Sequence, residues 1–142
     1  MWICLNKAFL SIVTPSSLDT ANSEFLLVRA RRKGDIEAVF GDVMKAEGIK
    51  VMKNAQRDYL FRALIPRAWV TTVIAEQLSK INYSNFKNSV VNKPLHDAYA
   101  SVWGIMSKLQ PSAPYSGFQK TTVSYGDQKV IGIGRNRRFS GI

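Results

Sequence analysis

Apolar and polar residues change their spacing along this chain, and the changes mark out its elements in order. From Trp2 to Val13 the run Trp-Ile-Cys-Leu-Asn-Lys-Ala-Phe-Leu-Ser-Ile-Val is rich in β-branched and aromatic residues, which favour strands. Asn6-Lys7 sits where a tight turn would divide it, because Asn tolerates the left-handed backbone such turns use. One long strand and a hairpin are both compatible, and the hairpin is preferred. Thr14–Ser23, with its Pro, Ser and Asn, reads as a loop. Phe25–Arg31 alternates as a strand, with Leu26, Val28 and Ala30 on one face and Phe25, Leu27, Arg29 and Arg31 on the other.

The pattern then shifts to helical spacing. A short helix opens at Gly34-Asp35, with Asp35 and Glu37 in its first turn, where negative charge suits the macrodipole. Ile36, Val39 and Phe40 form its apolar edge. Ile49–Lys53 and Tyr59–Ile65 are predicted strands around the polar stretch Asn54–Asp58. Pro66 suits the first turn of a helix over Arg67–Ile81, whose buried face is predicted as Val70, Ile74, Leu78 and Ile81. Asn82–Val91 reads as a turn into a short helix. Pro94 opens another, striped by Leu95, Tyr99, Val102, Met106 and Leu109. The expected fold is therefore α+β: a small antiparallel sheet with helices packed on one face. The domain is expected to span residues 1–110. A basic tail over 111–142 follows, with a hairpin at 121–133 turning through Gly126-Asp127.

Composition changes the picture mainly through charge. The chain of 142 residues is 46% apolar, as expected of a globular protein, but carries 20 Lys and Arg against 10 Asp and Glu, a net +10. Residues 1–110 hold 15 basic and 9 acidic side chains, and residues 111–142 hold 5 and 1. Such an excess favours a polyanionic partner, either nucleic acid or an acidic or nucleoprotein surface. One cysteine, Cys4, excludes an internal disulfide and zinc fingers, and its apolar run predicts a buried structural thiol. No apolar run is long enough to span a bilayer, and no basic n-region precedes the apolar start, so neither a membrane nor a secretory role is expected.

Three stretches resemble a known group. Met1-Trp-Ile-Cys-Leu-Asn with Ala8–Val13, Leu27-Val-Arg-Ala-Arg-Arg-Lys-Gly-Asp-Ile-Glu37, and Tyr83–Lys87 with His96–Tyr99 and Val102-Trp103 are similar to short proteins of bacterial genomes and mobile elements. The resemblance covers residues 1–112 and carries no activity with it. It implies a cytoplasmic setting, in a bacterial cell or a phage-infected host.

Catalytic chemistry finds little support. The single histidine, His96, lies beside Asp97, which cannot orient it toward a nucleophile by itself, so a surface or capping role is expected. Asp35, Glu37 and Asp58 are the carboxylates a Mg²⁺-dependent nuclease would use, but the first two are helix neighbours that point apart. No catalytic residue, metal ligand or cofactor is assigned. Polyanion binding is better supported. Arg29, Arg31, Arg32 and Lys33 cluster at one strand end, Arg57, Arg62 and Arg67 flank the later strand, and Arg135, Arg137 and Arg138 lie in the tail. Tyr59 and Phe61 are candidates for stacking on bases, with a core role as the plainer reading. The expected function is non-enzymatic binding of nucleic acid or a nucleoprotein complex. Two alternatives are an inhibitor of a bacterial defence system, of anti-CRISPR or anti-restriction type, acting by protein contact, and the metal-dependent nuclease. The tryptophans Trp2, Trp69 and Trp103 are expected in the core unless they anchor such a contact.

Overall fold

A computed structural model describes residues 1–16 and 24–117, together with the backbone of strands within 120–133. Strands β1 (Trp2–Cys4), β2 (Phe9–Val13) and β3 (Phe25–Ala30) form an antiparallel meander. Helix α1 (Glu37–Ala46) then leads to β4 (Met52–Lys53), and β5 (Phe61–Pro66) returns between β3 and β4. The sheet order is thus β1-β2-β3-β5-β4, antiparallel throughout. Helix α2 (Arg67–Ser79), a short α3 (Phe86–Ser89) and α4 (Lys93–Met106) follow, then a 3₁₀ turn at Ser107–Leu109. Strands β6 (Lys120–Tyr125) and β7 (Gln128–Ile133) pair with each other as a separate two-stranded ribbon. The chain divides into two compact units, 1–100 and 101–142.

Alternation determines which strand faces are buried. Leu10 and Ile12, Val28 and Ala30, and Ala63 and Ile65 project from one face and pack against Ile36, Val39, Phe40 and Met44 around α1 and Val70 and Val73 of α2. Full burial of each larger side chain here contributes about 1.5–3 kcal/mol. A smaller cluster of Val90, Leu95 and Tyr99 seats on Phe9, whose side chain leaves β2 on the other side from Leu10. Helix α2 starts where Pro66 predicts.

The hairpin expectation holds: Leu5 N–H donates to Ala8 O across Asn6-Lys7. Its turn does not use left-handed Asn, however, because Tyr115 is the only non-glycine residue with positive φ among those described. Helix α2 buries Val70 and Val73, whereas Leu78 and Ile81 are exposed. Ile81 lies past the helix end at Ser79, and both residues line a cleft of about 300 Å³ with Ile3, Leu5 and Tyr83. The stripe on α4 buries only Leu95 and Tyr99, and Val102, Met106 and Leu109 stay exposed. The three tryptophans are also exposed, Trp2 by 65%. Cys4 is exposed as well, because Ile3 takes the core side of the edge strand and leaves Cys4 on the other. Partial desolvation holds the Cys4 thiol above its ordinary pKa, so it is not an activated nucleophile. The loop expected over Thr14–Ser23 lies outside the described residues from Ser17 onward.

Candidate polyanion-binding site

Register lines up one row with a polar centre on the sheet face opposite the core. Trp2 pairs with Ser11, Ser11 with Arg29, Arg29 with Arg62, and Arg62 with Met52. Two arginines therefore face each other directly across β3 and β5, an arrangement that is destabilising unless compensated. The compensation comes from the loop before β5. The carboxylate of Asp58 lies 4.0 Å from Arg29 Nη1 and 3.9 Å from Arg62 Nη2. Arg29 Nη2 donates to the buried Ser11 Oγ at 2.8 Å, and Arg62 Nη2 donates to Tyr59 O at 3.2 Å. Arg31, the residue just past the end of β3, donates to Asp58 O at 3.0 Å. The guanidinium carbons of Arg29 and Arg31 both lie 4.5 Å from the centre of the Tyr59 ring, where the quadrupole attracts each cation by roughly 0.5–2 kcal/mol.

Three guanidiniums thus converge on Tyr59 and Asp58, with Arg29 and Arg62 facing the Asp58 carboxylate and Arg31 its backbone oxygen. Asp58 is 63% exposed, while the side chains of Arg29 and Arg62 are 20% and 15% exposed. The Nε atoms of Arg29 and Arg62 are buried, with no acceptor among the described residues. Asn54 shapes the loop that carries Asp58: its side-chain oxygen accepts from Gln56 N–H at 2.9 Å and its N–H donates to Leu60 O at 2.9 Å. Arg57 in the same loop and Lys53 at the end of β4 are exposed at this end of the sheet.

The remaining residues expected in this role are placed differently. Tyr59 is only 3% exposed and its ring is already covered, so it offers no face to a base. Phe61 is half-buried against the main core, because β5 begins there and its alternation follows Ala63 and Ile65. Arg32 is a clasp within the fold. Its Nε and Nη2 reach both oxygens of Asp35 at 2.7–3.2 Å, Nη1 donates to Asn92 Oδ1 at 2.7 Å, and Nη2 donates to Lys7 O at 3.2 Å. The Asp35 bond raises the Arg32 pKa further, keeping it charged. Asp35 is 4% exposed and also accepts Phe9 N–H at 3.2 Å, so its carboxylate serves this clasp instead of the first turn of α1, which begins at Glu37.

Lys33 is exposed beside Gly34, whose φ of +87° turns the chain toward α1. Arg67 begins α2 at the Phe25–Pro66 end of the ladder, about 16 Å along β5 from Arg62, so it is not part of the cluster. Arg135, Arg137 and Arg138 lie outside the described residues. His96 is on the surface, with Nδ1 3.3 Å from Asp97, which Lys93 also contacts at 2.6 Å. Among the described residues no group of three His, Cys, Asp or Glu side chains is placed to hold a metal ion. No helix among them is long and apolar enough to cross a membrane. Carboxylates gather elsewhere, with Glu37, Asp42 and Glu76 lining a groove of about 380 Å³ between α1 and α2.

Ser11 is the member of the site that sequence reasoning missed. A serine inside an apolar strand is the only local signal, and its meaning depends on the strand paired with it. No family model, curated protein or solved structure matches this chain.

Proposed function

We propose that this protein is a non-enzymatic binding protein that engages nucleic acid by its phosphates, inside a bacterial or phage-infected cell. The observation that carries the reading is the convergence of Arg29, Arg31 and Arg62 on Asp58, the first and last on its exposed carboxylate and Arg31 on its backbone oxygen. Guanidinium forks match phosphate geometry and keep their charge at any physiological pH. Tyr59 is covered by arginines and offers no ring to bases; the exposed Trp2 lies in the same row, two strands from Arg29, and stacking on it would tolerate any base. The chemistry therefore favours affinity over sequence recognition.

Fluorescence anisotropy of labelled single- and double-stranded DNA and RNA tests this. Three or four phosphate contacts predict that binding weakens about 40- to 150-fold between 50 and 200 mM salt. Arg29→Gln and Arg62→Gln should each flatten that dependence by about one contact. Absence of binding at low salt, despite the charge of +10, refutes the proposal. A second reading, inhibition of a larger bacterial complex by protein contact, is supported by the exposed Trp2 and Trp69, since tryptophan is a frequent interface anchor. In that case Trp2→Ala would release a partner without changing the salt dependence.

A further inference from the structure

We infer that Asp58 is an internal stand-in for phosphate: its carboxylate holds Arg29 and Arg62 together in the unliganded protein and is displaced when a phosphate group binds. This rests on the nucleic-acid reading above and specifies how its central contact is made.

Four features of the loop support an exchange. First, the contacts from Asp58 to Arg29 and Arg62, 4.0 and 3.9 Å, are too long for hydrogen bonds, which run near 2.7–3.2 Å. They are Coulombic pairs at a mostly exposed carboxylate, the kind that solvent and ions weaken most. Second, the Nε donors of Arg29 and Arg62 have no acceptor among the described residues, so one carboxylate does not saturate the pair. A phosphate brings more acceptor oxygens than a carboxylate to the guanidinium pair. Third, the loop does not depend on the Asp58 carboxylate alone for its shape. Asn54 anchors it, and it is the Asp58 backbone oxygen that holds Arg31. Turning the side chain outward gives up one short hydrogen bond, from Tyr59 N–H to Asp58 Oδ1 at 3.0 Å, and leaves Arg31 in position on the backbone oxygen. Fourth, two arginines facing each other across a ladder repel, so a counter-ion is needed in both states and only its identity changes.

An internal carboxylate competes with the ligand, so removing its charge should tighten binding. Anisotropy titration of a labelled single-stranded oligonucleotide with wild-type protein and Asp58→Asn is the test. The expected result is about three- to tenfold tighter binding for the variant at moderate salt, with a salt dependence steeper by about one phosphate contact. Asp42→Asn, which removes an exposed carboxylate from the α1–α2 groove, should leave affinity nearly unchanged, as should the charge-conserving Asp58→Glu. In an Arg29→Gln, Arg62→Gln background the Asp58→Asn gain should vanish.

Equal or weaker binding by Asp58→Asn overturns the exchange, and so does an equal gain from Asp42→Asn, which would mark a general charge effect. Failure of both wild type and Asp58→Asn to bind at low salt overturns the nucleic-acid reading itself, a distinct outcome. If Asp58→Asn lowers thermal stability, the wild-type protein carries the test. On adding the oligonucleotide, the Asp58 side-chain carboxyl and the Arg29 and Arg62 Nε–H resonances should shift together, and unchanged signals at saturation overturn the exchange.

Discussion

Replacing Asp35 by alanine should be among the most damaging single changes at a polar residue in this fold. Asp35 is 4% exposed and makes three contacts of 2.7–3.2 Å with Arg32, as well as accepting the amide of Phe9. Breaking a buried pair by removing one partner typically costs 3–5 kcal/mol. Here the stranded partner is Arg32, whose side chain is 35% exposed and keeps Asn92 and Lys7 as acceptors, so water recovers part of its solvation. That reduces the pair contribution to about 2 kcal/mol, and the lost acceptor for Phe9 adds about 1 kcal/mol. The expected total is about 3 kcal/mol, read as a urea midpoint lower by roughly 1–2 M.

The reciprocal change, Arg32→Met, strands a carboxylate with much less access to water and should cost at least as much. The double variant Arg32→Met, Asp35→Ala should be more stable than Arg32→Met alone, because no buried charge is left unpaired. Amide exchange gives a local check, since Phe9 N–H should exchange faster in Asp35→Ala. A loss below about 0.5 kcal/mol, or strictly additive single changes, would refute the account of Arg32 as a clasp.

Three further outcomes follow from the same geometry. Tyr99 Oη lies 3.0 and 2.8 Å from the carbonyls of Leu5 and Ala8, so Tyr99→Phe should cost about 1–2 kcal/mol by thermal or urea unfolding. Burial, with the nearby Cys4 and Asp35, raises the Tyr99 pKa above its ordinary value. Its contribution is therefore complete below about pH 10 and declines as pH rises toward the folded-state value; ultraviolet titration should show an ionisation above the ordinary tyrosine range that is missing in Tyr99→Phe. The Asp97 pKa is lowered, first by Lys93 and then by His96. Any stability it adds is present above its ordinary pKa and fades as pH falls through the lower folded value. Carbon-detected NMR should find its midpoint below the usual carboxylate range, moving upward in Lys93→Met. Cys4 should react stoichiometrically with a thiol reagent in the folded protein, slowly at neutral pH because its thiol resists ionisation; protection until unfolding would refute its placement.

Local spacing determined much of this protein without tertiary information. Alternation over Phe25–Arg31 assigned Val28 and Ala30 to the core and put Arg29 on the opposite face. Proline at 66 marked the start of α2, and Asn6-Lys7 marked the break between β1 and β2. Each of these depends on the conformation of a few consecutive residues, which their side chains largely decide. The sequence also showed that arginines are dense around residues 29–33, but not which of them share a surface.

That was decided by register and by turns. Ser11, Arg29 and Arg62 meet because Leu10, Val28 and Ala63 must all bury on one face, and a slip of one residue would invert a whole strand. Arg32 leaves the basic cluster because the chain turns at Gly34 and brings Asp35 back within its reach. Tyr59 leaves the solvent because the guanidiniums of Arg29 in β3 and Arg31 just past it, distant in sequence, lie against its ring. Charge composition is additive along the chain, whereas a site is a set of distances, and those distances exist only once the sheet has paired.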